Sequence, residues 1–301
     1  MKLHKVRGGF VTLEDGADLS GQQFFGLHIL GYSSSEATID QKSVYVYHNV
    51  KFDKSMLADS WFSMIKFTRC SFRGAGLSGT KFQNECDTFE DCDFTDAIIH
   101  SGTGRTYFDY IKPEYIMSTK SYKEYRDLSH VDIEVWDVDD ERKINMDFTN
   151  FNLTGARFPN VKYCTFENAE IEGATLPFIS YEELCKTKSF KNGLVNNVSF
   201  SSQISSSGKI DYSSSKTYAN KDFSKLNLTG CSFEWIDFSN TNFTDSVISS
   251  CKFRACNELT IDQIKSTWNY KNNRMTGITL PPKIQKILDA EKQTPTNATA
   301  K

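Results

Sequence analysis

The sequence has no long hydrophobic run and only 6 proline residues. No stretch approaches the roughly 18 consecutive apolar residues of a membrane-spanning helix, which excludes a transmembrane protein. The first nine residues carry charge but no apolar segment, so we expect no signal peptide. The formal net charge is −3 over 301 residues. This near-neutral balance argues against a general binder of nucleic acids or of anionic membranes.

Motifs of common enzyme and metal sites are also missing. The sequence contains no HExxH, CxxC, Walker, GxGxxG or GxSxG pattern, and its 5 histidines are scattered. We therefore predict no catalytic residue, no cofactor or cofactor-binding residue, and no metal site. A Cys–His nucleophile pair stays open, because the members of such a pair meet in space and not in sequence.

Phenylalanine is unusually abundant, with 23 Phe against 17 Leu, although Leu is normally among the commonest residues. A large apolar residue recurs every fifth position in four stretches of the chain, with occasional slips. The central residues are Leu19, Phe24, Ile29, Phe52, Leu57, Phe62, Phe67, Phe72, Leu77, Phe82, Phe89, Phe94, Ile99, Phe148, Leu153, Phe158, Phe166, Ile171, Leu176, Phe223, Leu228, Phe233, Phe238, Phe243, Ile248 and Phe253.

A period of five fits neither an α-helix nor a simple strand. A small residue often stands two positions before each centre, as Ser55, Cys70 and Ala75 do. Such a chain buries two side chains in every five, which it can do by turning a corner every five residues. Four fives then close a square coil, and stacked coils share backbone hydrogen bonds at about 4.8 Å per coil.

Three of these fives identify a family. Residues 17–21 (ADLSG), 151–155 (FNLTG) and 226–230 (LNLTG) resemble the A-(D/N)-L-x-x unit of pentapeptide-repeat proteins. That resemblance implies a mainly β fold, the right-handed quadrilateral β-helix. We expect this solenoid to carry short helical insertions and a C-terminal capping helix.

The repeat divides the chain into blocks. We predict a first block of coils, an insertion with a short helix and an acidic loop, further coils with a second insertion, a closing segment, and a disordered tail. The corresponding ranges are 1–100, 101–147, 148–259 (with the insertion 177–222), 260–293 and 294–301.

A longer motif recurs at the interruptions. Residues 267–271 (TWNYK) are followed by apolar residues at positions that also follow residues 187–191 (TKSFK) and 215–218 (SKTY). The copy at 119–123 (TKSYK) has one extra residue before its apolar positions. Short helical turns precede three copies, beginning near Pro113, Tyr181 and Thr260, and Thr260 with Gln263 forms a predicted capping box.

Residues 260–280 (TIDQIKSTWNYKNNRMTGITL) resemble the segment that closes the β-helix in pentapeptide-repeat effectors of type III secretion in Gram-negative pathogens. Those effectors include HECT-like ubiquitin ligases, but about twenty residues after Leu280 are too few for a catalytic lobe. Residues 281–292 predict a short amphipathic helix with Ile284, Ile287 and Leu288 on one face, which would cap the stack.

Five of the 8 cysteines stand two residues before a ladder centre, and we interpret them as buried packing residues. They are Cys70, Cys92, Cys164, Cys231 and Cys251. We expect no disulfide, because no signal peptide is visible.

One interruption contains a candidate partner-binding site. Residues 132–141 (DIEVWDVDDE) place six acids around Trp136, and the candidate residues are Trp136, Asp137, Asp139 and Asp140. Tryptophan would be the anchor and the partner would be basic. The same alternation also suits an edge strand whose outward acids prevent pairing with another chain.

Three functions compete. The first is a non-catalytic protein-binding scaffold, an effector secreted by a type III system that engages a host protein, with the bacterial cytoplasm as the alternative location. The second is a topoisomerase-protecting protein that imitates DNA, for which the charge of −3 and the mixed signs of Lys51, Asp53 and Arg73 are unfavourable. The third is an effector with cryptic catalysis. We favour the first, and expect no direct nucleic-acid partner.

Overall fold

The computed structural model describes residues 2–6, 9–24, 26–30, 45–84, 88–102, 104–136, 145–200, 216–256 and 258–293. It is mainly strand and turn with few helices, as a β-helix solenoid requires. The chain divides into two compact units, residues 1–171 and 172–301, which are considered separately below. None of the helices in these ranges is long and apolar enough to cross a membrane.

The described residues of the first unit form ten strands. A hairpin of β1 and β2 is antiparallel, β4, β6 and β8 form one parallel sheet, and β3, β5, β7, β9 and β10 form another in that order. The strands are β1 (Lys2–Val6), β2 (Gly9–Leu13), β3 (His28–Leu30), β4 (Tyr45–His48), β5 (Trp61–Ser63), β6 (Ile65–Thr68), β7 (Lys81–Gln83), β8 (Phe89–Glu90), β9 (Thr106–Ile111) and β10 (Val131–Trp136).

Successive coils are twenty residues apart where the fives are unbroken. Lys51 bridges Ser71 and Met56 bridges Gly76, each in parallel register. The predicted central residues Phe52 and Phe72 are fully buried, and their rings stack with centroids 5.1 Å apart. The aromatic rings of other central residues stack in the same way along the axis of the coils. The stacked rings therefore form a continuous core. The Phe and Leu ladder is therefore confirmed as the core of this unit.

The chain turns a corner two positions after most of the central residues. Asn49, Lys54, Asp59, Met64 and Arg69 all have left-handed backbone, with φ between 52° and 57°. This conformation strains most L-amino acids, and glycine, asparagine and aspartate adopt it with the least cost. Those three residue types accordingly occupy many corners, among them Gly74, Gly79, Asp96, Asn150, Gly155, Asn220, Gly230, Asn240 and Asp245.

The second unit repeats this construction with four short strands. Phe233 stacks on Phe253 at 5.2 Å and on Phe200 at 5.1 Å. Asp222 bridges Asn242, again twenty residues apart. The strands are β11 (Lys216–Thr217), β12 (Ser232–Glu234), β13 (Ile236–Asp237) and β14 (Lys252–Arg254), and β11 pairs with β13 while β12 pairs with β14.

The longer motif forms a recurrent helical element. In three of the four copies, the starting threonine donates its hydroxyl to a carbonyl three residues back and accepts a backbone N–H three residues on. The copy at 215–218 differs, because Lys216–Thr217 is the strand β11. The helices are α1 (Pro113–Ser118), α2 (Tyr181–Lys186), α3 (Lys188–Lys191), α4 (Ile261–Ser266) and α5 (Trp268–Lys271), with a π-helical turn at Ser121–Tyr125. The predicted helical turns and the capping box of Thr260 with Gln263 are confirmed.

The extra residue of the first copy has a structural explanation. The residues after Thr119 form a π-helical turn, whereas the residues after Thr187 and Thr267 form α-helical turns. A π-turn accommodates one residue more than an α-turn. The backbone bond that closes the element accordingly joins Asp127 to Ser121, six residues apart, but Arg274 to Asn269, five residues apart.

The last helix, α6 (Pro282–Gln293), follows the closing segment of the second unit. Ile284 and Leu288 are buried, and Lys265 pairs with Glu291 at 2.6 Å. The prediction that Ile287 shares their face is wrong, because its side chain is 37% exposed. At about 100° per residue, Ile287 lies about 60° from Ile284 and about 100° from Leu288 around the helix axis, which places it at the margin of the buried face. The predicted disordered tail, 294–301, lies outside the described residues.

Candidate functional site

The predicted contact site lies at the end of β10. The backbone of Trp136 pairs with Ile111 of β9. The side chain of Trp136, and the whole of Asp137, Asp139 and Asp140, lie outside the described residues. The site therefore stays a prediction, and its described surroundings are the outer sides of β9 and β10.

The two sides of β10 differ in polarity. Val131 and Ile133 are buried in the core, and Asp132 and Glu134 alternate with them on the outer side. β10 is the last strand of its sheet, and in the described chain the ladder continues beyond it only through the bridge of Asp132 to Arg157. β10 is thus the end strand of its sheet, but its edge is paired at Asp132, whose side chain is buried.

Asp132 lies between two arginines. Its Oδ2 atom is 3.4 Å from Nη1 of Arg157 and 3.9 Å from Nη1 of Arg105. Burial raises the pKa of the Asp132 carboxyl, and the two guanidinium charges oppose this shift. The two guanidinium charges offset part of the cost of burying this carboxylate, and Asp132 lies within ion-pair distance of both arginines.

Glu134 has different neighbours, because it shares a tyrosine with a second carboxylate. The Tyr107 hydroxyl is within hydrogen-bond distance of both Asp109 Oδ1 and Glu134 Oε2. It carries a single proton and can donate to only one carboxylate at a time. Burial raises the pKa of Asp109 to about 6, the bond from Tyr107 opposes the shift, and the charge of Glu134 adds to it. This group can therefore bind and release a proton near pH 6.

A cavity of about 410 Å³ lies elsewhere, in the unit 172–301 beside α6. Met275, Ile278 and Leu288 contribute to its apolar lining. The one carboxylate in the lining, Glu291, accepts a hydrogen bond from Lys265 at 2.6 Å. The cavity thus lacks the free acid and base that most hydrolytic or transfer reactions need.

The cysteines and histidines form no site in the described part of the chain. The five cysteines predicted to be packing residues are buried, and the seven described cysteines are free thiols. Burial raises the pKa of Cys251 to about 12, which makes a thiolate nucleophile unfavourable there. Across the described ranges, no group of three or more His, Cys, Asp or Glu side chains is arranged to hold a metal ion.

One segment of the five-residue coils matches a known family. The family model for pentapeptide repeats matches residues 219–257 in eight copies, within the second unit where the coils are twenty residues apart. Residues 219–257 are pentapeptide repeats. The curated proteins include no match to its sequence.

Solved structures of two other proteins are similar to this chain. One is QnrB1, a plasmid-mediated fluoroquinolone resistance protein, with 14% identity, a TM-score of 0.23, and coverage of 93% of this chain and 97% of QnrB1. The other is HetL of the cyanobacterium Nostoc sp. strain PCC 7120, a pentapeptide repeat protein involved in heterocyst differentiation regulation. It has 12% identity, a TM-score of 0.21, and coverage of 80% of each chain.

The sequence patterns did not identify Arg105, Tyr107, Asp109 and Arg157 as neighbours. They surround strands inside or next to a segment whose five-residue period is broken. One signal for β9 is present, because residues 106–111 (TYFDYI) are rich in aromatic and β-branched residues, which strands favour.

Proposed function

We propose that this pentapeptide-repeat protein is a non-catalytic scaffold that binds another protein. The observation that supports this most is the stacking of its core. Phe82 lies between Phe62 and Phe108, with ring centroids 5.1 Å and 5.4 Å apart and planes within 10° of each other. A core of this kind holds the outward side chains on a rigid backbone, so that docking orders few further groups and loses little entropy.

The proposed contact centre is the segment that begins at Trp136. A tryptophan anchor and the carboxylates of Asp137, Asp139 and Asp140 favour a partner with basic side chains. Asp109 and Glu134, on the neighbouring face, form no ion pair with any base in the described chain. Glu134 is partly exposed and extends the acidic character of this region toward a basic partner, whereas Asp109 is buried.

We further propose that the chain is an effector that reaches a host cell through a type III system and engages a host protein. The support is the resemblance of residues 260–280 to the closing segment of such effectors. The bacterial cytoplasm is the alternative location. A translocation reporter fused to the N-terminal segment distinguishes them, since signal inside host cells that requires the secretion apparatus favours the effector.

Imitation of DNA by a topoisomerase-protecting protein is the less supported alternative. It requires rows of unpaired acids along the rod. Several acids on the described faces are paired across neighbouring coils instead, as Asp93 is with Arg73 at 2.8 Å and Glu90 with Lys66 at 2.9 Å. These pairs neutralise the surface and support a protein partner.

Two finer features of the fold are also proposals. The corners at every fifth residue and the twenty-residue coil support a right-handed, four-sided coil. The burial of Ile284 and Leu288 supports α6 as a cap on the C-terminal end of the stack. The block boundaries predicted from the repeat, at residues 100, 147 and 259, belong with these proposals.

Affinity capture from host lysate tests the binding function. Trp136, Asp139 and Asp140 are replaced together by Ala, and the matched control replaces Trp235, Glu234 and Glu258, which are likewise one tryptophan and two acids, in the second unit. We expect the first variant to lose the captured partner and the control to retain it. Equal capture of the partner by both variants, with the fold intact, would show that the segment beginning at Trp136 is not the contact centre. Discharge of a ubiquitin-loaded E2 enzyme by the purified chain would contradict the non-catalytic role.

A further inference from the structure

Arg105 and Arg157 share one anionic partner. Their Nη1 atoms contact the same oxygen of Asp132, at 3.9 Å and 3.4 Å. Asp132 is 6% exposed, whereas the arginine side chains are 36% and 42% exposed. The three groups together carry one excess positive charge, and that charge is accessible to solvent on the arginine side.

Most of the hydrogen-bond donors on these guanidinium groups are unused. Each guanidinium has five N–H donors. Arg105 donates through Nη1 to the carbonyl oxygen of Gly155 at 2.8 Å, and Arg157 donates through Nη1 to Asp132. Neither side chain has a further hydrogen bond within the part of the chain that the structure describes. Several N–H groups of both Arg105 and Arg157 are therefore available to donate to a ligand.

The backbone holds both arginines in place. Arg157 donates its N–H to Val131 at 2.8 Å and accepts from Ile133 at 2.9 Å, so it is locked against β10. Arg105 directly precedes β9 and is fixed by its bond to Gly155. Burial and the nearby charge of Arg157 lower the pKa of Arg105, while Asp132 opposes the shift. The positive charge is thus not fully compensated by the protein.

We propose that Arg105 and Arg157 form a binding site for an oxyanion of the phosphate class. A carboxylate offers two coplanar oxygens and matches the fork of one guanidinium. A tetrahedral phosphate offers acceptors in several directions and can accept from two guanidinium groups of neighbouring coils at once. This site goes beyond the protein-binding function and does not depend on it. Free phosphate and a phosphorylated side chain present the same chemistry to these arginines.

Titration of the full chain with inorganic phosphate, followed by ³¹P NMR, tests the site. Arg157→Ala and Arg105→Ala should each weaken phosphate binding at least tenfold. Arg73→Ala is the matched control, because Arg73 is an exposed arginine paired with Asp93 on another face, and it should leave binding unchanged. Equal affinity of the Arg157→Ala, Arg105→Ala and Arg73→Ala chains would overturn the proposal.

Arg157→Lys keeps the charge beside Asp132 and decides the question if an alanine variant does not fold. We expect it to bind phosphate several-fold more weakly than the native chain, because a lysine lacks the guanidinium fork, and unchanged affinity would contradict the site.

Acetate and phenyl phosphate provide the remaining arms. Acetate should bind at least tenfold more weakly than phosphate, and equal binding would contradict a phosphate-class site. Tighter binding of phenyl phosphate would assign the site to a phosphorylated group, and equal or weaker binding would assign it to free phosphate.

Discussion

The rings of Phe72 and Phe52 stack with centroids 5.1 Å apart and planes 13° apart. Phe72 also stacks on Phe94 at 4.9 Å, so its removal opens the core toward both neighbouring coils. We expect Phe72→Ala to lower the free energy of unfolding by about 3–5 kcal/mol. Urea unfolding measures this loss. Tyr163→Ala, at a side chain 43% exposed, should cost less than about 1 kcal/mol. Similar losses for the two variants would contradict a stacked core.

Asp109 should make stability depend on pH. Its pKa in the folded chain is about 6, above the ordinary 3.8, so the folded state keeps a proton that the unfolded state has lost. Stability therefore falls as pH rises from about 4 to 6. Asp109→Asn removes this effect, and relative to the native chain the variant should gain about 1–3 kcal/mol between pH 4 and pH 7. A difference in the free energy of unfolding between the variant and the native chain that stays constant from pH 4 to pH 7 would contradict the raised pKa of Asp109.

Asp93 provides a control of opposite sign. Burial raises its pKa, but hydrogen bonds with Thr95 and the pairing with Arg73 outweigh burial and lower the pKa of the carboxyl below 3.8. Its contribution to stability is present above the ordinary pKa and is lost as pH falls. The Asp93→Asn variant should therefore be less stable than the native chain at pH 7, and the difference should shrink below pH 4.

The thiols of Cys231 and Cys251 should be unreactive in the folded chain. Both side chains are fully buried, and burial raises the pKa of each thiol. Iodoacetamide labelling followed by mass spectrometry should modify the partly exposed Cys185 first and these two only after unfolding. Cys231→Ser and Cys251→Ser should lower stability and leave binding unchanged. Rapid native labelling of either thiol would contradict a packing role.

Charged substitutions on the buried face of α6 should destabilise the protein more than a charged substitution at its exposed position. Ile284 and Leu288 are buried, whereas Ile287 is 37% exposed. Replacing Ile284 and Leu288 together by Asp should destabilise the second unit by several kcal/mol, because buried charges lose hydration. Ile287→Asp should cost less than about 1 kcal/mol. Thermal unfolding compares them, and equal melting temperatures for the two variants would argue against a cap.

The five-residue period was sufficient to predict the core, because the central residue of a five points inward wherever the period holds. Phe52 and Phe233 are both inward, two residues before a left-handed corner at Lys54 and Trp235. Neither of these corners is glycine, asparagine or aspartate. The stacked neighbours override the local preference there, which is why corner residues alone would not have defined the coil.

The pairing around Asp132 was not predictable from the sequence. Arg105 and Arg157 are more than fifty residues apart, and they meet Asp132 only because the coils bring β9 and β10 into register. Tyr107 and Glu134 meet for the same reason. A five-residue period predicts which side chains point inward. It does not predict which outward side chains are adjacent when the two coils are separated by an insertion that lacks the five-residue period.

Hydrogen exchange on the chain alone and on the chain with its captured partner tests the binding account most directly. A rigid scaffold that binds through the segment after β10 should gain protection there and at the adjoining ends of β9 and β10. The rest of the stacked core, protected already by backbone bonds between coils, should remain unchanged. Protection confined to the second unit, with none in residues 106–144, would contradict the account.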